Sequence, residues 1–318
     1  MIGSPVSRDG TMAALKVGVI GIGAFGSKIA LRLLWTDFPS LQIYDCDDLT
    51  PRFFANNYGG LNVGSPKMMA QNCDVILTAL PSARELREVC FGWEGAATGF
   101  KPGGIVMDLG VTDPLETVAL AQQLESHAVK LVDVPAFGTP EDAKEGRLTL
   151  LAGGEDETIE RCRPILEKLG SRVIRTGATG SAQAAGAIAD YLRAARLLAA
   201  SEAIRLGAHF GFEPGNLLEV SEMLGGAEVS KTLASDVATR RFKTGLQLGV
   251  LRGNVELAAQ LAEKAALVLP LLQATSTAWS NAEARLGYGA DHSAVIKWLE
   301  TLVPETPEDI AGNPDQSA

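Results

Sequence analysis

The sequence predicts an N-terminal α/β domain with a parallel sheet, followed by an all-α domain that begins with a long helix. Two observations predict this order. In the first half of the chain, short apolar runs alternate with stretches of helical spacing, which is typical of parallel strands covered by helices on both faces. After Gly180 no further strand pattern occurs, and helical stretches follow one another to residue 302.

Five short apolar runs are expected to form the sheet, because each is rich in aliphatic residues and ends at glycine, proline or polar residues. They cover residues 15–20, 41–44, 75–80, 105–109 and 130–134. A helix is expected at 27–35, directly after the first run. The runs at 148–152 and 172–175 are candidates to extend the same sheet.

The second half of the chain is predicted to be helical throughout. Residues 182–206 are rich in alanine and leucine and contain no proline, so they are long enough for one continuous helix between the domains. Further helices are expected at 214–224, 231–240, 254–267, 271–286 and 292–302. These patterns divide the chain into a first domain at 15–176 and a helical substrate and dimerisation domain at 177–303, with disordered segments at 1–14 and 304–318.

The composition argues against several classes of partner and site. A formal net charge of −10 disfavours binding to nucleic acid or to anionic membranes. The 4 cysteines form no CxxC pair and only 3 histidines are present, so we expect reduced thiols and no metal site. No apolar run reaches the length of about 18 residues that a membrane span needs. We therefore expect a cytoplasmic protein with a small-molecule substrate.

The segment after the first predicted strand reads Gly-Ile-Gly-Ala-Phe-Gly at residues 21–26, which fits the pattern G-x-G-x-x-G. In such a turn Gly21 permits a tight bend, Gly23 lets the backbone approach a pyrophosphate, and Gly26 allows close packing of helix on strand. The N–H groups at the helix N-terminus attract the phosphates. The motif lies between a strand and a helix and therefore predicts a dinucleotide-binding Rossmann domain. A glycine turn without a ligand is the alternative.

The second predicted strand ends in acidic residues. Asp45 lies 24 residues after Gly21, where a carboxylate can accept hydrogen bonds from the adenosine ribose hydroxyls. Asp47 and Asp48 follow it, and no arginine occurs in this loop before Arg52, so the loop is expected to repel a 2′-phosphate. The sequence therefore predicts NAD as the cofactor in preference to NADP.

Several further segments accompany the glycine motif in a fixed order. They are Asp-Val-Ile-Leu-Thr-Ala-Leu-Pro at 74–81, Val-Met-Asp at 106–108, Asp-Val-Pro-Ala-Phe-Gly-Thr at 133–139, Gly-Arg-Leu-Thr at 146–149 and Gly-Ser-Ala-Gln-Ala-Ala at 180–185. With these segments the chain resembles the β-hydroxyacid dehydrogenase superfamily, which includes 3-hydroxyisobutyrate dehydrogenases and, further out, imine reductases. The resemblance covers residues 16–302.

This resemblance implies a nicotinamide cofactor, a substrate cleft between the domains and a homodimer built around the long helix. The cofactor contacts that it implies are Gly21, Ile22, Gly23, Ala24, Phe25, Gly26, Asp45, Leu80, Pro81 and Val111. The substrate contacts that it implies are Phe137, Gly138, Thr139 and Gly186.

The polar groups of the family's active site are mostly replaced in this sequence. The family's catalytic lysine corresponds to Gly186, and its helper asparagine, one helical turn later, corresponds to Asp190. The substrate-binding serine corresponds to Phe137, which is followed by Gly138 and by Thr139 in place of a glycine. The usual small hydroxy acid is therefore not the expected substrate.

Two further landmarks are also changed. The family's serine–threonine pair corresponds to Gly110 and Val111, directly after the strand predicted at 105–109, with Thr112 either replacing the threonine one residue later or serving as a turn hydroxyl. A second lysine of the family corresponds to Gly253, with Arg252 next to it as a possible substitute.

The side chains that stand in these positions favour a different substrate. Asp190 offers a carboxylate where the family offers ammonium groups, which favours a cation over an anion. Phe137 offers an apolar face that can also stack on a cation. An iminium carbon accepts hydride without a proton donor, whereas carbonyl reduction gains from a general acid. The sequence therefore predicts hydride exchange with an amine/imine or a bulky neutral alcohol/carbonyl couple, with Asp190 as the candidate catalytic residue.

Two alternatives stay open. Asp190 can be a structural residue paired with Arg193 on the same helix. The chain can also be a cofactor-binding protein that has lost turnover, although the intact glycine motif with Asp45 argues against it.

Overall fold

The computed structural model of the protein describes residues 15–209, 211 and 240–302. The helix expected at 214–224, the helix expected at 231–240 except for its last residue, and the segments at 1–14 and 304–318 lie outside the described residues. By their internal contacts, the described residues up to Gly186 form one compact unit, and those from Ala187 onward form a second.

Nine strands of the first unit form one sheet. They are β1 Val17–Ile20, β2 Gln42–Tyr44, β3 Leu61–Asn62, β4 Val75–Thr78, β5 Ile105–Asp108, β6 Lys130–Asp133, β7 Ala136–Phe137, β8 Leu148–Gly153 and β9 Gly170–Gly177. The strand order is β3-β2-β1-β4-β5-β6-β8-β7, and β9 pairs with β8. Each of the seven apolar runs contains a strand, so the sheet predicted from the sequence is confirmed.

The sheet is mainly parallel. Strands β1 to β6 are parallel neighbours throughout, as are β8 and β9, whereas β8 is antiparallel to β6 and β7. The chain leaves β1 toward β2 on one side and later returns to β4 on the other. The carboxyl ends of β1 and β4 therefore form the switch point at which open α/β sheets bind their ligands.

Seven helices cover the two faces of this sheet. They are α1 Gly26–Leu34, α2 Leu49–Tyr58, α3 Pro66–Ala70, α4 Ala83–Phe91, α5 Pro114–Glu125, α6 Pro140–Glu145 and α7 Asp156–Leu169. Alternate strand residues face opposite sides and build two apolar cores. Val19, Leu77 and Met107 pack in the core that includes residues of α1 and α7, whereas Ile76 and Val106 pack in the core that includes residues of α3, α4 and α5.

The described residues from Ser181 onward form helices and the segments that connect them, as predicted. The long helix α8 covers Ser181–His209, and α9 Leu248–Lys264, α10 Pro270–Leu286 and α11 Val295–Glu300 follow it. No strand occurs among the described residues from 187 to 302. Helix α9 begins six residues earlier than predicted, because Gly249 and Gly253, which favour turns in a sequence pattern, lie inside the helix.

Candidate active site

The glycine loop joins β1 to α1 at the switch point of the sheet. Gly21 has a φ of +91°, and a Cβ there would lie 2.4 Å from the carbonyl oxygen of Ala79. A Cβ on Gly26 would lie 1.8 Å from the carbonyl oxygen of Gly21, so only glycine allows α1 to begin this close to β1. By contrast, no described atom lies within 4 Å of the place where a Cβ of Gly23 would stand. The loop thus leaves an open cradle on the side of Gly23.

The N-terminus of α1 suits a phosphate. Its first residues follow Phe25, which makes no side-chain cap, and the first turn of the helix contains no acidic residue. Gly23 and Ala24 are exposed, whereas Ile22 and Gly26 are buried. The N–H groups of Ser27 and Lys28 already donate to the carbonyl oxygens of Gly23 and Phe25, so the N–H groups of residues 23–26, which precede them, are the ones that can meet an anion. The open cradle beside them fits the pyrophosphate of a dinucleotide.

Asp45 is fixed against the glycine loop. Its Oδ2 accepts a hydrogen bond of 2.7 Å from the backbone N–H of Ile22, and its Oδ1 accepts one of 3.1 Å from the N–H of Asp47. The thiol of Cys46 also donates to Oδ1, at 3.5 Å. Asp45 is half-buried, so the carboxylate is held at the end of β2 while part of it stays open to a ligand.

The loops after β1, β4 and β5 converge on the same edge of the sheet. A Cβ on Gly21 would lie 3.2 Å from Cδ2 of Leu80, and a Cβ on Gly110 would lie 3.1 Å from the carbonyl oxygen of Leu80. Leu80 and Val111 are half-buried and Pro81 is exposed. Together with Asp45 after β2, the residues that the sequence proposed for the cofactor therefore lie at the ends of four neighbouring strands.

A buried polar network lies directly beneath these loops. The carboxylate of Asp108, at the end of β5, accepts a hydrogen bond of 2.8 Å from Thr78 Oγ1 and one of 3.3 Å from Gln183 Nε2. Gln183 Oε1 accepts one of 2.8 Å from the backbone N–H of Thr112. The hydroxyl of Thr112 is 3.0 Å from that of Thr117, so it is used inside the protein.

A second buried carboxylate caps the long helix. Asp133, at the end of β6, accepts hydrogen bonds from the backbone N–H groups of Gly180, Ala182 and Gln183 at 2.9, 3.0 and 3.1 Å. A carboxylate in this place satisfies N–H groups that lack partners within the helix and complements the helix dipole. In the sequence, Asp108, Asp133 and Gln183 were noticed only as parts of the segments that carry the family resemblance, and no role was predicted for them. The signal that could have marked them is an acid at the end of an otherwise apolar buried strand.

Three of the proposed substrate contacts follow one another at the end of β7 and in the turn after it. Thr139 caps α6: its Oγ1 accepts from the N–H of Asp142 at 3.1 Å, and Asp142 Oδ2 accepts from the N–H of Thr139 at 2.9 Å. Gly138 is exposed and Phe137 is half-buried. A Cβ on Gly186 would stand 3.4 Å from Pro135 and 3.6 Å from Cζ of Phe137, so Gly186 lies beside this turn.

Asp190 lies in the second unit and is 4% exposed. Its Oδ2 accepts a hydrogen bond of 2.6 Å from Asn254 Nδ2 on α9. Arg193 Nε is 3.6 Å from Oδ1, which is an ion pair but too long for a hydrogen bond. Within the described part of the chain, Oδ1 has no hydrogen-bond partner. Burial raises the pKa of Asp190, and the charge of Arg193 and the Asn254 hydrogen bond oppose that rise.

Two family profiles match the chain. The profile described as the NAD binding domain of 6-phosphogluconate dehydrogenase matches residues 16–177, more than half of the chain. The profile described as the NAD-binding domain of NADP-dependent 3-hydroxyisobutyrate dehydrogenase matches residues 180–299. The chain belongs to the β-hydroxyacid dehydrogenase superfamily. It is an NAD(P)-dependent oxidoreductase, as predicted.

Curated relatives of this dehydrogenase act on small hydroxy acids by name. The 2-hydroxy-3-oxopropionate reductase of Escherichia coli (strain K12) is 25% identical over 291 residues, which cover 91% of this chain and 98% of that one. The mitochondrial 3-hydroxyisobutyrate dehydrogenase of Bos taurus is 32% identical over 211 residues, which cover 66% of this chain and 62% of that one.

Solved structures share the fold of this dehydrogenase. The 3-hydroxyisobutyrate dehydrogenase of Mycobacterium tuberculosis with L-serine has a TM-score of 0.80 at 22% identity, over 90% of this chain and 99% of that one. An imine reductase variant from Myxococcus stipitatus in complex with NAD+ has a TM-score of 0.62 at 16% identity, over 90% of this chain and 100% of that one. At these identities the structures show the fold alone.

The position of the family's second lysine is Gly253 in this dehydrogenase, next to Arg252. No described atom comes within 4 Å of a Cβ built on Gly253, so a side chain would have room there. Arg252, the neighbouring cation, donates from Nε to Glu283 Oε2 at 2.6 Å, and its charge is balanced by that carboxylate. Arg252 is therefore engaged on α10, although the sequence left it open as a substitute for the lysine.

The described residues contain neither a metal-binding cluster nor a membrane-spanning helix. No group of three His, Cys, Asp or Glu side chains within residues 15–209 and 240–302 could hold a metal ion. None of the helices that the structure describes is both long enough and apolar enough to cross a membrane.

Asp108 is expected to make the stability of this dehydrogenase depend on pH. Burial raises the pKa of Asp108 from 3.8 to about 7, and hydrogen bonds from Thr78, Gly110 and Gln183 oppose the rise. Between about pH 4 and pH 7 the folded protein keeps a proton that the unfolded chain releases. The free energy of unfolding therefore falls as the pH rises through this window, by about 4 kcal/mol for this group.

An Asp108→Asn variant tests this expectation, because its amide can both accept from Gln183 and donate to Thr78. The melting temperature is measured from pH 4.5 to pH 8 in both proteins. We expect the wild-type curve to fall more steeply than the variant curve. Parallel curves would show that Asp108 does not titrate in this window.

Proposed function

We propose that the enzyme exchanges hydride between a nicotinamide cofactor and an amine/imine couple, and that Asp190 binds the positive nitrogen of the substrate. One observation carries this proposal. Asp190 is buried, and its Oδ1 meets no hydrogen-bond donor among the described residues. Arg193 Nε, at 3.6 Å, is an ion-pair partner of this oxygen but gives it no hydrogen bond. A buried carboxylate oxygen without a hydrogen-bond donor is costly, so a cationic N–H group of a substrate is a fitting partner.

The balance of charge at the family positions supports the same substrate class. Gly186 and Gly253 replace lysines, and the charge of Arg252 is matched by Glu283. The family's groups for binding a substrate carboxylate and a developing alkoxide are therefore missing at these positions. A small hydroxy acid would meet the carboxylate of Asp190 instead of an ammonium group, and like charges oppose binding.

The turn at residues 137–140 also offers little to a carboxylate. The N–H of Thr139 is already donated to Asp142, and Pro140 has no N–H group. Hydrogen bonds from the hydroxyl and N–H of Thr139 hold the pKa of Asp142 below its usual range, so this carboxylate is ionised. With the apolar ring of Phe137 beside it, the turn fits a bulky neutral or cationic group better than an acid.

The residues of the first unit would hold the cofactor. The open cradle at Gly23 and the uncapped start of α1 would bind the pyrophosphate, and Leu80, Pro81 and Val111 would contact the remaining parts. When bound, the nicotinamide supplies or accepts the hydride. In the reducing direction an iminium carbon gains the hydride and becomes an amine, and Asp190 neutralises the nitrogen charge without transferring a proton.

Reduction of a bulky neutral carbonyl is the second candidate, and the raised pKa of Asp190 favours it. A carboxyl group whose pKa burial raises keeps its proton to a higher pH, so it can donate that proton to a developing alkoxide. The two candidates assign Asp190 opposite charges. They can therefore be separated by kinetics.

We further propose NAD as the preferred cofactor, because the Asp45 carboxylate, which is fixed at the end of β2, would repel a ribose 2′-phosphate. Arg52, the first arginine of the loop, is 4.0 Å from Asp48 and so is already beside an acid. Replacing Asp45 by asparagine keeps an acceptor for the Ile22 N–H but removes the charge. We expect Asp45→Asn to narrow the preference for NADH over NADPH by about tenfold, corresponding to the loss of one charged hydrogen bond.

Dissociation constants of both cofactors, read from quenching of their fluorescence, check this expectation. Asp45→Ala is the matched variant, since it also loses the acceptor for the N–H of Ile22 and should therefore weaken the binding of both cofactors. An unchanged ratio in Asp45→Asn would remove the carboxylate from the ribose site.

The proposed substrate class is tested by following NADH and NADPH with a panel of cyclic imines, bulky ketones and small hydroxy or keto acids, in both directions. We expect the largest kcat/KM with an imine or amine. The highest activity with a small hydroxy acid would contradict the proposal. Cofactor binding without turnover of any compound would favour a protein that has lost catalysis.

Two further expectations stay proposals. A homodimer built around α8 is supported by the exposed side chains of Ile188 and Leu192, which are 53% and 44% exposed. Domain limits at 15–176 and 177–303 are the division that we propose for the chain.

A further inference from the structure

Gln183 connects three parts of the cofactor-binding unit that are distant in sequence. We infer that Gln183, through its hydrogen bonds to Asp108 and Thr112, is a positioning residue that holds the loop after β5 in the shape that binds the nicotinamide cofactor. The inference rests on the proposed cofactor contact of Val111. The side-chain hydrogen bonds of Gln183 run to Asp108 and Thr112.

Both ends of the Gln183 side-chain amide are hydrogen-bonded inside the protein. The side chain is fully buried, at 0% exposure. Its Nε2 donates to Asp108 Oδ2 at 3.3 Å, and its Oε1 accepts from the backbone N–H of Thr112 at 2.8 Å. Its own N–H donates to Asp133 at 3.1 Å. One residue near the start of α8 therefore joins the ends of β5 and β6 to the loop that follows β5.

The loop that Gln183 holds is short and lies at the cofactor edge of the sheet. It contains Gly110, which packs against the carbonyl oxygen of Leu80, and the half-buried Val111, which precedes Thr112. The N–H of Thr112 points to Gln183, so this hydrogen bond fixes the backbone immediately after Val111. Without it, a buried N–H would lack a partner and the loop would be expected to move.

An amide is the side chain that this position requires. Asp108 needs a donor, and the N–H of Thr112 needs an acceptor, and a glutamine supplies both on one rigid group. A glutamate keeps an acceptor for Thr112 but places a second carboxyl group beside Asp108. A leucine of similar size supplies neither. These two substitutions separate the acceptor function from the donor function.

The experiment measures NADH binding in the full-length protein without substrate, by fluorescence quenching at pH 6 and pH 8. We expect Gln183→Leu to raise the dissociation constant at least about tenfold at both pH values, the effect of losing a buried hydrogen bond. At pH 8 we expect Gln183→Glu to bind NADH as weakly as Gln183→Leu does. At pH 6, where the introduced carboxyl group and that of Asp108 share a proton, its NADH dissociation constant should return toward the wild-type value.

Three other titratable or charged groups act on or near Asp108: Asp133 on β6, and Cys90 and Arg87 on α4. All three are unchanged in these variants. Recovery at low pH in Gln183→Glu alone therefore reports on the new pair. A merely structural glutamine would lower the melting temperature without producing this pH dependence of NADH binding.

Cys162→Ala is the matched control, because Cys162 is fully buried in the core of the same unit but lies on α7. It should lower the melting temperature and leave the NADH dissociation constant unchanged. Wild-type NADH binding by Gln183→Leu or by Gln183→Glu at pH 8 would overturn the inference. If neither variant folds, amide hydrogen exchange of Thr112 in the unaltered protein decides: we expect slow exchange that NADH slows further, and fast exchange would overturn the inference.

Since no substrate is present, these outcomes do not depend on whether the enzyme acts on imines. Failure of the substrate proposal would leave the Gln183 result intact. Normal NADH binding by the variants would in turn leave the substrate proposal intact.

Discussion

An Asp190→Asn variant is expected to lose about 10²- to 10³-fold in kcat/KM for the preferred substrate while its melting temperature stays at or above that of the wild type. The amide has the shape of the carboxyl group and can still accept from Asn254. Because burial raises the pKa of Asp190, the ionised form is unfavourable in this place, and a neutral amide relieves that cost. Activity and stability should therefore change in opposite directions.

The kinetic parameters tell the two proposed chemistries apart. A rise in KM with kcat largely retained is expected if Asp190 binds a cationic nitrogen, whereas a fall in kcat is expected if it donates a proton. Ser201→Ala is the matched control, since Ser201 is also buried on α8 and its hydroxyl donates only to the carbonyl oxygen of Leu197. Full activity in Asp190→Asn would return Asp190 to a structural role beside Asn254 and Arg193.

A Gly23→Val variant is expected to weaken NADH binding at least about hundredfold without loss of stability. No described atom lies within 4 Å of a Cβ at this position, and Gly23 does not have a positive φ, so the fold can accept a side chain there. The new methyl groups would occupy the open cradle that the pyrophosphate needs. The loss of backbone hydrogen bonds to the phosphates makes the effect large.

Gly26→Ala is the contrasting variant. Its Cβ would meet the carbonyl oxygen of Gly21 at 1.8 Å, so it must displace α1 and is expected to lower the melting temperature together with NADH binding. NADH titrations and thermal melts of both variants check the pair of expectations. Normal NADH binding by Gly23→Val would place the pyrophosphate elsewhere and remove the glycine loop from the cofactor site.

The sequence predicted the regular part of the sheet well. Strands β1, β4 and β5 are mostly apolar runs, because parallel strands are buried on both faces, and polar residues occur only at the carboxyl ends of β4 and β5, as Thr78 and Asp108. Strands β3 and β7 have two residues each, which is too short for any pattern, and neither was predicted. The antiparallel pairing of β7 with β8 was missed for the same reason.

Part of the candidate site could be predicted from local sequence motifs, and part of it could not. The glycine loop and Asp45 are recognisable because local turns and a fixed spacing define them. The network of Asp108 and Gln183 joins residues 75 positions apart, and the pair of Asp190 and Asn254 joins residues 64 positions apart. Such contacts arise only when the sheet and the helices are assembled, and no spacing within one segment encodes them.

The helix N-termini within residues 15–186 differ in whether a side chain already occupies the site at which an anion would bind. The carboxylate of Asp133 fills the start of α8, and the starts of the remaining helices other than α1 carry a capping hydroxyl or an acid: Asp48, Ser65, Ser82, Asp113, Thr139 and Asp156. Among the α-helices of these residues, only α1 begins with neither. The starts of the seven helices α2 to α8 are thus occupied by a side-chain cap or an acid, and only the start of α1 is left for a phosphate. The choice of anion site depends on the caps of the other helices as much as on the glycine loop.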